Sequence, residues 1–195
     1  MTETIETTPA TFNVEDWLLD AHLPEESADV FKRADVLGEL SALQRQIEVL
    51  QEAAGVAEKS AGEASELTTL TARYDALLGT FGDSLLTVYV RAISPDEKRA
   101  LRAAHDERTK DLPPLEQNQQ YGYDLLAASI VAVRPHGGER TPVRWTPAQV
   151  LAMENAIGGA QMSTVLDAHR VAQNKLPAVD ADFLRRRSGS EAGAE

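Results

Sequence analysis

The sequence predicts a mainly α-helical chain: a coiled-coil-like helical hairpin over residues 27–82, then a compact helical domain over 83–176 with a short β element near 85–93. Three observations predict it. Two apolar stripes advance in steps of three and four residues, the spacing that returns a helix face to one seam. Two capping signals, Ser94-Pro95-Asp96-Glu97 and Thr146-Pro147-Ala148-Gln149, mark helix starts. Ala, Leu and Glu are plentiful and favour helix, while aromatics make up only 5% of the chain, so its core must be aliphatic.

Residues 1–26 are expected to be an acidic, largely disordered segment, with Thr and Glu dominating 1–12. From Met1 to Val30 there are eight acidic residues and no Lys or Arg. Within this stretch Asn13 to Leu23 carries Val14, Trp17, Leu18, Leu19 and Leu23, a spacing that suits a short amphipathic helix. Trp17 is there either a docking anchor or an ordinary core contact.

The first stripe is Val36, Leu40, Leu43, Ile47 and Leu50, and the second is Leu67, Leu70, Tyr74, Leu77 and Phe81. Gly55 and Gly62 bracket the small-residue stretch between them. The pattern predicts an antiparallel helical hairpin, with two ordinary core helices as the plainer alternative. Gly38 costs about 1 kcal/mol relative to Ala inside a helix, which suggests close helix approach there. Trp17, Leu40, Leu43, Ile47 and Leu50 are the candidate partner-binding residues.

Leu85 to Ile93 is rich in β-branched residues and predicts a strand. Ser94 then caps a helix reaching about Arg108, with Lys98, Arg99 and Arg102 beyond its acidic first turn. Asp111-Leu112-Pro113-Pro114 interrupts the pattern. A helix from about Asn118 to Val133, with Leu125, Leu126, Ala128, Ser129, Ile130 and Val133, is expected to be the most buried element. A Pro/Gly-rich loop follows over 134–145, with Arg134, His136, Arg140 and Arg144. Thr146 opens a helix with Val150, Leu151, Met153 and Ile157, which Gly158-Gly159 ends. The last helix, about Ala160 to Lys175, presents Met162, Val165, Leu166 and Val171. The tail 177–195, with Arg185-Arg186-Arg187, is expected to be disordered.

The chemistry is sparse. A formal charge of −12 repels phosphate backbones and anionic lipid, so neither a nucleic-acid nor a membrane partner is expected. The absence of cysteine excludes a disulfide framework and a thiolate metal site. Met1 to Glu6 lacks the basic and apolar parts of a signal peptide, no run approaches the ~20 apolar residues of a membrane span, and cytosol is the expected compartment. His22, His105, His136 and His169 show no metal-ligand spacing. His105, beside Asp106 and Glu107, is expected on a solvated helix surface, as are the carboxylates generally. Gly137-Gly138 and Gly158-Gly159 lack the context of a phosphate loop. The reading is a protein-binding chain, not an enzyme, with no cofactor, catalytic or metal residues.

The order of these features resembles the tail assembly chaperones of long-tailed phages of actinobacteria. It is carried by Phe31-Lys32-Arg33-Ala34-Asp35-Val36 before the heptad helix, Val88-Tyr89-Val90-Arg91 with Ser94-Pro95-Asp96-Glu97, Leu125-Leu126-Ala127-Ala128-Ser129-Ile130, Trp145-Thr146-Pro147, and Ala168 to Asn174. The resemblance covers roughly 28–176. It implies a non-catalytic protein of the host cytoplasm, absent from the mature particle, that coats the apolar tape measure protein before tail-tube subunits polymerise. It also implies a longer product made by programmed frameshifting; contact with the tail tube subunit and self-association are further partner expectations. The alternatives are a structural component of the particle (connector, tail or minor capsid protein) and a generic cytosolic coiled-coil adaptor.

Overall fold

The computed structural model describes residues 13–19, 21–56 and 61–175, with no side chains described over 53–64. The expected disorder of 1–12 and of the tail, and the Arg185-Arg186-Arg187 cluster, lie outside these residues. The chain is mainly helical, with a small four-stranded antiparallel sheet.

The sheet is a meander interrupted by helices. Strands β1 (Glu25–Phe31), β2 (Leu85–Arg91), β3 (Ile130–Pro135) and β4 (Thr141–Pro142) lie side by side in chain order, as consecutive elements usually do. Alternation builds the two faces. Ala28 opposes Val88 and Val30 opposes Leu86, giving an apolar face, while Asp29 opposes Thr87 and Ser27 opposes Tyr89 on the other.

Helices cover the apolar face. They are α5 (Pro114–Ser129), α6 (Pro147–Ile157) and α7 (Gly159–Asn174), with α4 (Pro95–Thr109) packed on α5, and the short α1 (Val14–Leu19) and the pair α2 (Leu37–Val56) and α3 (Ala61–Asp83) lie elsewhere in the chain. Leu126 and Ala127 of α5, Val150 of α6, and Met162, Val165 and Ala168 of α7 close over Ala28, Val30, Val88, Val90 and Ile130. This aliphatic core is what the low aromatic content required.

Both capping boxes form as read. Ser94 Oγ accepts from the Glu97 N–H, whose carboxylate takes the Ser94 N–H at 2.8 Å. Thr146 and Gln149 repeat the exchange at α6. Gly158, with φ +82°, separates α6 from α7, a backbone state that glycine adopts without steric cost.

α7 also guards the edge of the sheet. Gln161 accepts from the Phe31 N–H at 2.7 Å and donates to the Phe31 carbonyl at 3.0 Å. Its side-chain amide thus takes the place of a neighbouring strand at that residue, where an unpaired edge invites foreign pairing.

α2 and α3 sit between two strands that pair directly. The Lys32 N–H donates to the Ser84 carbonyl at 3.1 Å, and the Phe31 and Phe81 rings stack with centroids 4.2 Å apart. Val36, on a 3-10 turn (Ala34–Val36), and Leu40 and Leu43 are buried at this base. Ile47, Leu50, Leu67, Leu70, Tyr74, Leu77 and Phe81 are half-buried along the contact of α2 with α3.

Four expectations need correction. Residues 25–31, divided between the acidic segment and the hairpin, form β1, because Ala28 and Val30 alternate with exposed polar residues. The helix expected to reach Val133 stops at Ser129, and Ile130 leaves helical geometry at φ −70°, ψ 115° to begin β3; Ile130, Val131 and Val133 are β-branched and suit a strand. The strand expected within 85–93 forms as β2, but the sheet it belongs to has four strands instead of the short β element expected. Gly38 marks no close approach, since a Cβ there would meet nothing within 4 Å.

Candidate functional site

Two polar clusters and three apolar surfaces are the candidates. The first cluster overturns the expectation for His105. The side chains of His105 and Asp124 are 1% and 2% exposed, and His105 Nδ1–H donates to Asp124 Oδ2 at 2.6 Å. Arg108, one helical turn on, donates to Asp124 Oδ1 at 2.7 Å. The Thr109 hydroxyl donates to the His105 carbonyl at 2.9 Å and lies 3.3 Å from Nε2. Tyr121 meets the imidazole edge-on at 5.1 Å. Asp124 likewise corrects the expectation that carboxylates sit in solvated positions.

A carboxylate orienting a histidine beside a hydroxyl is the arrangement used for nucleophilic catalysis. Here it is sealed: His105 and Thr109 are each 1% exposed, so no substrate reaches Nε2. The cluster instead joins α4 to α5, satisfying groups that would be costly to bury alone.

The second cluster lies where α4 begins and α7 ends. Lys98 Nζ donates to Gln173 Oε1 at 2.6 Å. His169 is held below its ordinary pKa, first by burial and then by the Lys98 charge. His169 Nδ1 and Gln173 Nε2 are buried without a partner. On the polar face of the sheet Arg140 lies over the Tyr89 ring at 4.5 Å and pairs with Glu25 at 2.8 Å, and Arg91 pairs with Glu97 at 2.6 Å while its Nε is buried without a partner.

The predicted partner-binding residues separate into three environments. Leu40 and Leu43 are buried, Ile47 and Leu50 are half-buried, and Trp17 is 63% exposed on α1. The structure brings the four aliphatic residues together on α2 and leaves Trp17 apart from them. Beside Leu50 and Leu70, Ala42 and the exposed Val49 line a groove of about 550 Å³ between α2 and α3. Sequence reading missed a second groove of about 630 Å³ between α5 and α6, lined by Tyr123, Pro147, Ala148 and Leu151 with Arg108 and Glu116. Its signal was the exposed Leu151 beside the α6 cap.

Among the described residues no group of His, Asp and Glu is placed to hold a metal ion, and no helix is long and apolar enough to cross a membrane. No family model, no curated protein and no solved structure matches the chain.

Proposed function

We propose that this chain is a non-catalytic tail assembly chaperone of a long-tailed phage, which binds the tape measure protein and keeps it soluble while the tail assembles. In this reading α2 and α3 form an antiparallel hairpin with a coiled-coil-like seam, and the hairpin is the client-binding arm. The observation that carries it is the gradation along α2: Leu40 and Leu43 are buried at the base, whereas Ile47 and Leu50 keep part of their surface in water. Two helices cannot cover both flanks of their own seam, and a third apolar helix would complete the burial. The net charge of −12 keeps such an assembly soluble.

Two measurements test the reading. Co-expression with the tape measure protein should hold that protein in the soluble fraction, and mass spectrometry of purified particles should find this chain absent. A client that stays insoluble at every salt concentration ends the proposal. Recovery of the chain in stoichiometric amounts from particles would assign it instead to the structural components.

A further inference from the structure

We propose that α1 is a docking helix for a partner protein with an apolar groove rimmed by Lys and Arg, and that this partner is the tape measure client; the choice of partner rests on the chaperone reading.

The helix is specified locally. Asn13 Oδ1 accepts from the Glu15 N–H at 2.9 Å, the Asn13 amide donates to Asp16 at 2.9 Å, and the Trp17 N–H closes the first turn on the Asn13 carbonyl at 3.1 Å. Asparagine is a strong N-cap, and acids in the first turn favour the helix dipole. Yet α1 buries none of its residues. Val14, Trp17 and Leu18, at spacings of three and four, make one apolar face, and Leu19 beside it is 81% exposed. A helix of six residues is marginal in water, so a surface that covers this face would both bury it and hold it helical.

Charge identifies the kind of surface. Glu15 and Asp16 stand on α1 itself beside this face, and the sequence from Met1 to Val30 contains no Lys or Arg, an acidic setting that steers the helix toward a basic rim. Anionic lipid and nucleic acid carry the wrong sign. A second copy fits poorly: its α5–α6 groove carries Glu116, its Arg108 is bound to Asp124, and each copy bears −12. Tryptophan inserted in a pocket is a frequent centre of binding energy, and a helix laid in a groove is a common recognition mode.

The test uses the full-length chain co-expressed with the tape measure protein, as wild type, as the Trp17→Ala/Leu18→Ala double variant, and as Glu15→Gln/Asp16→Asn. The first pair should weaken client retention about tenfold or more, with thermal melting unchanged because α1 buries nothing. The neutralised pair should weaken retention a few-fold at low salt and leave it unchanged at high salt, where screening removes the steering charge. Undiminished retention by the Trp17→Ala/Leu18→Ala variant, with wild type binding client, overturns the docking helix and leaves the chaperone reading standing. Wild type that retains no client overturns the chaperone reading and the choice of partner with it. Concentration-dependent self-association in sedimentation, abolished by Trp17→Ala, makes a second copy the occupant and overturns the basic-groove partner.

Discussion

His105 on α4 and Asp124 on α5 meet through a 2.6 Å bond with both side chains almost wholly buried. Nineteen positions apart in the chain, they are joined only because Pro113 and Pro114 turn α4 back into α5. Arg108 supplies the second partner of the carboxylate, so Asp124 satisfies two donors on the neighbouring helix. The geometry of a general base is present, and burial turns it into a fastening.

Removing Asp124 should therefore cost more than an average substitution. Asp124→Ala leaves the buried His105 N–H without an acceptor, while the half-exposed Arg108 turns to water, and stranding a buried hydrogen-bonding group costs about 1–3 kcal/mol on top of the lost packing. Asp124→Asn keeps the shape and part of the hydrogen bonding and should cost less. Urea unfolding of the two variants checks the order. A loss under about 1 kcal/mol for Asp124→Ala would mean that water already reaches the cluster.

Along α2 the predicted stability losses follow burial. Leu43 is 4% exposed, and Leu43→Ala should cost about 2–5 kcal/mol. Ile47 is only half-buried, and Ile47→Ala should cost about 1 kcal/mol because less of its surface leaves water on folding. Thermal melting ranks the two, and client retention should rank them in the opposite order. Equal stability losses would place Ile47 in a closed seam with no surface left for a client.

These contrasts mark which features were legible in the sequence. Both capping boxes were, since Ser94 with Glu97 and Thr146 with Gln149 act within one turn. The stripes of α2 and α3 were as well, because their period belongs to the helix itself. β1 was hidden by its acids: Glu25, Glu26 and Asp29 made Ala28 and Val30 look incidental until β2 paired with them. β3 was absorbed into α5, because the run from Leu125 to Val133, apolar except for Ser129, has no period that separates helix from strand. His105 and Asp124 carried no mutual signal, since only the fold brings them together. Trp17 was legible as an alternative between anchor and core, and its exposure decides against the core.

The second polar cluster predicts a pH response. Burial, with Lys98 nearby, holds His169 below its ordinary value of 6.5, so between those two values the unfolded chain binds the extra proton. Stability from this group is complete above about pH 6.5 and is lost as pH falls toward the folded-state value. Glu97 is lowered chiefly by the Ser94 N–H, after which Arg91 also contributes; its share persists until pH falls below 4.5 and is lost only in stronger acid. Denaturant midpoints measured downward from neutral pH should fall for wild type and fall less for His169→Gln. Parallel curves for the two proteins would assign the response to another group.

The register of β1 against β2 sets the decisive experiment on the α2–α3 arm. Simple truncation before residue 83 removes β1, and with it Ala28 and Val30 from the core. The antiparallel ladder offers a cleaner cut. Phe31 faces Leu85, and the Lys32 N–H bonds the Ser84 carbonyl, so an Asn-Gly pair between Lys32 and Ser84 should close the strands as a two-residue hairpin turn. The arm's buried contacts at the base are lost, notably Val36 and the Phe31–Phe81 stack. The main cluster of β1, β2, β3 and α5–α7 is untouched. We expect this arm-less chain to unfold cooperatively at a lower temperature and, on the chaperone proposal, to leave most of the tape measure protein insoluble. If the client meets the arm through Ile47, Leu50 and Leu70, the wild-type difference should persist at high salt, where screening weakens charge and leaves burial intact. An arm-less chain that folds and still solubilises the client would move the binding surface off α2 and α3, with the α5–α6 groove next in line.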